Sequence, residues 1–78
     1  MIKLYTRTGC PYCGMVLGVI NEMDIDYKEL EISNEANLDS LLEIGGKQQV
    51  PFLIDEDRNV SMYESSDIIE YLKKNYKK

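Results

Sequence analysis

Hydrophobic positions along the chain follow two different spacings. Short apolar or alternating runs, typical of strands, occur at residues 2–6, 25–32, 50–55 and 60–62. Apolar residues recur every three or four positions, as in helices, at residues 11–23, 35–45 and from about 65 onward. The predicted order is β-α-β-α-β-β-α, which places the chain in the α/β class.

The first predicted helix carries a single apolar stripe. Its members are spaced to lie on one buried face: Cys13, Val16, Leu17, Ile20 and Met23. Gly14 and Gly18 interrupt the helix four residues apart, and each costs about 1 kcal/mol relative to alanine. Close packing against the sheet would explain both glycines, and so would mobility of this segment; the sequence leaves the two explanations open.

The second predicted helix has clear ends. Ser33 and Asn34 precede it and are good N-cap residues, and Gly45-Gly46 ends it. The first strand, first helix and second strand have the lengths of a βαβ unit. We therefore expect these two strands to be parallel, with a right-handed crossover.

The last predicted helix begins near Ser65-Ser66-Asp67, where the plain structural interpretation is that Ser65 or Ser66 caps it. An acid at its start and lysines at its end suit the helix dipole. The lysines are Lys73, Lys74, Lys77 and Lys78. An apolar face is expected to join the core: Ile68, Ile69, Leu72 and Tyr76. Before this helix, residues 55–59 predict a hairpin turn between the third and fourth strands.

Length and composition limit the classes of function. Seventy-eight residues, 44% hydrophobic and 29% charged, predict one small globular domain spanning residues 1–78. The net charge of −5 argues against nucleic-acid binding, which needs a basic surface. No apolar run reaches the length of a membrane span and no signal peptide is evident, so we expect a cytoplasmic protein that does not bind membranes.

The candidate reactive residues lie in the segment Cys10-Pro11-Tyr12-Cys13, which contains both cysteines of the chain. Pro11 suits the first helical position, because its missing N–H has no partner there. Cys10 then lies at or beside the N-cap, where free N–H groups and the helix dipole lower a thiol pKa below about 8.5. Cys13 is one turn away, within reach for a disulfide and more deeply placed. The pair predicts thiol–disulfide exchange in which Cys10 attacks and Cys13 resolves.

Other interpretations of the two cysteines are weaker. A zinc site needs four ligands, and the chain offers two cysteines and no histidine, so no metal is expected. A structural disulfide at this spacing would close a small loop and restrict the unfolded chain little. Charge also favours a thiolate, because residues 1–20 contain Lys3 and Arg7 and no acid. Residues 21–43 hold eight acids and one lysine, and this stretch is most simply a solvated face.

The cysteine motif, with Tyr5-Thr6 and Arg7 upstream, resembles the active site of glutaredoxins. Val50-Pro51 resembles the second signature of that family, in which the proline is cis. The similarity covers essentially the whole chain and implies a thioredoxin-like fold, with a four-stranded mixed sheet flanked by helices. Thioredoxins themselves usually read Trp-Cys-Gly-Pro-Cys, and this chain has no tryptophan.

The resemblance implies a glutathione groove beside the first helix. By position, Arg7 would bind a glutathione carboxylate and Tyr12 would line the groove. The backbone of Val50 would pair with the glutathione peptide like an added strand, and Pro51 would face Cys10. The alternatives are a solvated surface charge for Arg7 and packing at the helix start for Tyr12.

The chain departs from glutaredoxins before its last helix. Where they usually have two glycines, a small residue and two aspartates, this chain reads Met62-Tyr63-Glu64-Ser65-Ser66-Asp67-Ile68. Glu64-Ser65 is similar to the N-terminal half of glutathione transferases, in which these residues hold the γ-glutamyl end. Ser65 and the helix N–H groups would donate hydrogen bonds to its carboxylate, and Glu64 would bind its ammonium. Gln49 replaces the threonine common before Val-Pro, so specificity need not match the family's.

The leading hypothesis is a glutaredoxin-like dithiol oxidoreductase acting on glutathione mixed disulfides and protein disulfides, with glutathione as co-substrate and no bound cofactor. One alternative is an electron donor recharged by thioredoxin reductase. Another is a glutathione-bridged dimer holding an iron–sulfur cluster, which Pro11 disfavours by stiffening the motif. A glutathione transferase fragment is disfavoured because the chain lacks room for a second, helical domain. We expect a monomer whose partners are glutathione, disulfide-containing or glutathionylated proteins and a reductase.

Overall fold

A computed structural model describes residues 1–76. Its elements are β1 (Ile2–Thr6), α1 (Pro11–Glu22), β2 (Tyr27–Glu31), α2 (Glu35–Gly45), β3 (Phe52–Asp55), β4 (Val60–Met62) and α3 (Ser65–Asn75). The predicted order of elements is confirmed. The expectation that Lys77 and Lys78 end the last helix lies outside the described residues. No helix in the described part of the chain is long and apolar enough to cross a membrane.

The strands form one mixed sheet in the order β2-β1-β3-β4. β1 runs parallel to β2, with Ile2 opposite Tyr27 and Thr6 opposite Glu31, as the predicted βαβ unit requires. β3 is antiparallel to β1 and to β4, which confirms the predicted hairpin. The expected four-stranded mixed sheet flanked by helices is therefore present.

Side chains alternate across the sheet and build a core on each face. Ile2 and Leu4 of β1 pack with residues of α1, β3 and α3: Val16, Ile20, Leu53, Ile68 and Leu72. Tyr5 points to the opposite face and packs with Ile32, Leu41 of α2 and Phe52 of β3. The two cores fix α1 and α3 on one side of the sheet and α2 on the other.

Two strands are shorter than the sequence predicted. β2 was expected over residues 25–32, but Asp24 has a positive φ of 58° and the chain joins the sheet only at Tyr27. β3 was expected over residues 50–55 and begins at Phe52. Pro51 has no N–H for the ladder, and its bond to Val50 is cis, as the resemblance implied.

Of the N-terminal caps predicted for α2 and α3, the first is confirmed and the second is wrong. Asn34 caps α2, because its side-chain oxygen accepts from the N–H groups of residues 36 and 37 at 2.9 and 3.3 Å. The expected serine cap of α3 is wrong. Glu64 occupies the extended N-cap position with no side-chain cap hydrogen bond, and Ser65 is already the first helical residue. The first backbone N–H groups of α3 therefore have no side-chain cap.

Candidate active site

The turn between β1 and α1 carries Cys10 and is hydrogen-bonded to β2. Gly9 adopts a φ of +81°, which an L side chain rarely tolerates. Thr8 donates its backbone N–H and its hydroxyl to the two carboxylate oxygens of Glu31, at 3.0 and 3.1 Å. The N–H of Cys10 donates to the carbonyl of Arg7 at 3.1 Å. These contacts fix where α1 begins.

Cys10 is the N-cap of α1 and is half-buried. Its Sγ accepts a hydrogen bond from the backbone N–H of Cys13 at 3.3 Å. Burial of the sulfur raises the pKa of Cys10, but hydrogen bonds from Cys13 and Tyr12 and the charge of Arg7 outweigh it and lower the pKa below the ordinary 9.0. A sulfur in this setting favours the thiolate, which is the nucleophilic form.

Cys13 lies on the inner side of the same turn and is only 2% exposed. Burial and its hydrogen bond to Cys10 raise the pKa of Cys13 from 9.0 to about 12. Both cysteines are free thiols. One helical turn thus holds a half-buried thiol with a lowered pKa and a buried thiol with a raised pKa.

A groove of about 540 Å³ runs beside this turn. Five of the residues proposed from the sequence line it together: Tyr12, Val50, Pro51, Glu64 and Ser65. They come from the start of α1, the loop before β3 and the start of α3, so the fold brings three separate segments to one place. The Tyr12 side chain is 60% exposed and is not packed at the helix start.

Arg7 is placed differently. Its side chain is exposed and is not among the residues that line the groove. Its positive charge acts on the motif from the turn and lowers the pKa of Cys10, after the hydrogen bonds already described. The geometry therefore gives Arg7 an electrostatic effect on the thiol and shows no groove contact.

The far end of the groove combines opposite charges. The uncapped start of α3 offers N–H groups and the positive end of the helix dipole, which favour an anion. Glu64 adds an exposed carboxylate, whose Oε1 accepts from Nε2 of Gln49 at 3.3 Å. An α-amino acid group carries both charges, so it matches this end of the groove chemically.

Four lining residues were not proposed as site residues from the sequence: Met15, Gln49, Tyr63 and Ser66. Met15 is 54% exposed and lies three residues after Tyr12, a spacing that places both on one helix face and could have indicated it. Tyr63 precedes Glu64 directly, but only its contact with the Phe52 ring in the structure shows where its own ring lies. Gln49 was noted as a departure from the family pattern, without its contact to Glu64.

Comparison with known proteins shows the family to which the chain belongs. Residues 4–78 match the family described as "Glutathione S-transferase, N-terminal domain". Glutaredoxin 1 of Rickettsia conorii is 32% identical over 62 residues, which cover 76% of this chain and 61% of that protein. The chain therefore spans less than two thirds of the length of this curated relative.

Solved structures agree on the fold. A glutathione S-transferase from the Antarctic clam Laternula elliptica has a TM-score of 0.83 and 35% identity, covering 99% of this chain and 36% of that one. A mutant of the thioredoxin-like protein BC3987 has a TM-score of 0.81 and 21% identity, covering 95% and 96% of the two chains. The fold is thus thioredoxin-like. Within that class, the chain belongs to the family of glutathione S-transferase N-terminal domains and is similar in sequence to glutaredoxin 1.

Proposed function

We propose that this domain is a glutathione-dependent thiol–disulfide oxidoreductase, with Cys10 as the attacking and Cys13 as the resolving thiol. The observation that carries the proposal is the contrast between the two thiols. The pKa of Cys10 lies below the ordinary value, whereas that of Cys13 is raised to about 12. The names of its family and of its relative, glutathione S-transferase and glutaredoxin, support glutathione as the co-substrate.

In the first step, the Cys10 thiolate attacks the glutathione sulfur of a mixed disulfide. A Cys10–glutathione disulfide forms, the original disulfide breaks, and the substrate leaves as a thiolate that takes a proton from solvent. The hydrogen bond from the Cys13 N–H and the positive end of the α1 dipole stabilise the attacking sulfur before the reaction. The same interactions make Cys10 a good leaving group when a second glutathione attacks the glutathione sulfur of the Cys10–glutathione disulfide.

In the second step, either of two thiols can attack the Cys10–glutathione disulfide. A second glutathione thiolate attacks its glutathione sulfur, forming glutathione disulfide and restoring Cys10. Alternatively, Cys13 loses its proton and attacks Cys10, which forms the Cys10–Cys13 disulfide and releases glutathione. Because the pKa of Cys13 is about 12, its ionisation requires a base or a leaving thiolate to accept the proton. Two molecules of glutathione, or a reductase, return the disulfide to the dithiol.

The groove is the proposed glutathione site. Tyr12 and Pro51 would form its walls, and the backbone of Val50 would pair with the tripeptide like an added strand. The Ser65 hydroxyl and the α3 N–H groups would donate hydrogen bonds to the γ-glutamyl carboxylate, and Glu64 would bind the ammonium. A carboxylate contact for Arg7 stays a proposal, since Arg7 lies outside the groove lining.

Two serine substitutions test the roles of the cysteines. Cys10→Ser should lower kcat/KM for a glutathione mixed disulfide by about 10³-fold or more, because a hydroxyl cannot replace the thiolate. Cys13→Ser should retain that activity and lose reduction of protein disulfides. The assay couples turnover to NADPH through glutathione reductase. Activity that persists in Cys10→Ser would contradict the assignment.

The source of electrons is tested in parallel. One assay of disulfide reduction contains glutathione and glutathione reductase, and the other contains thioredoxin reductase and no added glutathione. Turnover in the second assay alone would show that thioredoxin reductase supplies the electrons. The roles of the two cysteines would stay as proposed.

A transferase domain is the second candidate, favoured by the family match and by the clam transferase. Conjugation of glutathione to 1-chloro-2,4-dinitrobenzene distinguishes it. Conjugation activity without disulfide reduction would assign the chain to that function.

A further inference from the structure

Tyr63 lies between β4 and α3, and its half-buried ring forms part of the groove wall. The ring centroid is 4.4 Å from that of Phe52, with the two planes inclined by 36°. Phe52 begins β3 and is 1% exposed, so it belongs to the rigid core of the sheet. Stacking on Phe52 therefore fixes the Tyr63 ring relative to β3.

The hydroxyl of Tyr63 binds both backbone groups of Lys47. It accepts from the Lys47 N–H and donates to the Lys47 carbonyl, each at 3.1 Å. The Lys47 ammonium also lies 5.4 Å from the centre of the tyrosine ring, within the range of a cation–π contact. One side chain thus holds both polar backbone groups of one loop residue.

Lys47 belongs to the loop of residues 46–51, which joins α2 to β3 and contains Val50 and Pro51. Within residues 1–76, the backbone–backbone hydrogen bonds outside helices and strands include none from residues 47–51. The contact of Gln49 with Glu64 joins two side chains at 3.3 Å and involves no backbone group of the loop. The position of the loop backbone therefore depends strongly on Tyr63.

The end of α2 is shaped to receive the Tyr63 hydroxyl. A Cβ on Gly45 would overlap that hydroxyl and would lie 2.8 Å from Cζ of Tyr63 and 3.2 Å from Cζ of Phe52. No side chain fits at residue 45 while Tyr63 keeps its place. Glycine at this position and the tyrosine hydroxyl form a matched pair.

We propose that Tyr63 is a positioning residue that holds Val50 where its backbone can pair with bound glutathione. Added-strand pairing requires an N–H and a C=O at fixed places, and a loop that is held in advance loses less entropy on binding. The hydroxyl acts through Lys47 and the loop, not on the reacting sulfurs. This inference rests on the proposed function, because it assumes glutathione as the occupant of the groove.

Tyr63→Phe removes the hydroxyl and keeps the stacked ring. KM for a mixed disulfide of glutathione and a cysteine-containing peptide should rise about tenfold, with kcat within about twofold of wild type. The Kd for S-methylglutathione, measured by titration calorimetry, should rise by a similar factor. Amide exchange at residues 47–50 should accelerate. The pH dependence of Cys10 alkylation should not move, since α1 and its turn are untouched.

Tyr71→Phe is the matched control, because its hydroxyl donates to Asp55 at 2.6 Å outside the groove. It should lower Tm and leave KM and Kd unchanged. Gly45→Ala, which displaces the Tyr63 hydroxyl from the other side, should reproduce the rise in KM.

An unchanged KM in Tyr63→Phe, or an equal rise in Tyr71→Phe, would overturn the inference and leave the proposed function intact. A wild-type protein that neither binds S-methylglutathione nor reduces the mixed disulfide would instead refute the proposed function itself.

Discussion

Hydrogen-bond donors control the ionisation of two acidic side chains in this domain. Burial raises the pKa of both Cys10 and Asp55, yet both pKa values lie below their ordinary values because donors surround the charged atom. At Cys10 the donors are the Cys13 side chain and the backbone N–H groups of Cys13 and Tyr12. At Asp55 they are the hydroxyls of Tyr71 and Tyr76 and the Arg58 guanidinium. At Cys13, burial and the hydrogen bond to Cys10 prevail, and the pKa rises to about 12. The charge of each group thus follows from its immediate hydrogen-bond partners together with its burial.

Asp55 predicts a defined pH dependence of stability. It is 0% exposed, and its Oδ2 accepts from Tyr71 at 2.6 Å, Tyr76 at 2.7 Å and Arg58 at 3.3 Å. Asp55→Asn should lower the free energy of unfolding by about 2 kcal/mol at pH 7, because these hydrogen bonds lose their charge. Since the folded pKa is depressed, the contribution of Asp55 is complete above 3.8 and is lost as the pH falls through the lower folded value.

Urea unfolding at several pH values measures this effect. The difference between wild type and Asp55→Asn should shrink as the pH falls below 3.8. Asp57→Asn is the control, because Asp57 is exposed and pairs with the chain amino group at 3.0 Å; its effect should stay within about 0.5 kcal/mol. A difference for Asp55→Asn that is constant from pH 7 to about pH 2 would show that its charge does not stabilise the fold.

Among the elements, the helices contain glycines for different reasons. A Cβ on Gly14 or Gly18 of α1 would meet no atom within 4 Å, and both glycines are exposed. Close packing against the sheet therefore does not explain them. Gly45 of α2, in contrast, has no room for a side chain beside Tyr63. The space around each glycine, rather than helix propensity alone, determines the effect of a substitution.

Alanine substitutions test this difference. Gly18→Ala should raise the free energy of unfolding by about 0.5–1 kcal/mol, because alanine restricts the unfolded chain and favours the helix. Gly45→Ala should lower it despite the same gain in propensity, because its Cβ overlaps Tyr63. Thermal and urea unfolding provide the comparison. Destabilisation by Gly18→Ala, or stabilisation by Gly45→Ala, would contradict the packing described.

The order of elements was predictable because hydrophobic spacing follows secondary structure directly. The cap of α2 was also predictable, since Asn34 is followed by a helix that its side chain can reach. The cap of α3 was not predictable, because a helix can begin at any of the successive polar residues Ser65, Ser66 and Asp67. The structure starts α3 at Ser65 and leaves Glu64 as the N-cap without a side-chain bond. Such a one-residue choice depends on tertiary packing rather than on local preference.

In the whole molecule, the site exists because the fold joins distant segments. The cysteine chemistry followed from the residues of one motif, and the proposed groove residues followed from the resemblance to known families. Sequence alone did not place Tyr63 against Lys47 or Gln49 against Glu64, because these contacts join residues about fifteen positions apart. It also did not separate Arg7 from the groove, since the turn that carries Arg7 is oriented by Glu31 of β2.

The lowered pKa of Cys10 is tested most directly by alkylation of the fully reduced protein with iodoacetamide across pH 4 to 10, with the modified residue located by mass spectrometry. The rate at Cys10 should rise with an inflection below the ordinary thiol pKa of 9.0, and Cys13 should stay unmodified throughout, since its pKa is about 12. An inflection for Cys10 at or above 9.0, or faster modification of Cys13, would contradict the assignment of Cys10 as the attacking thiolate.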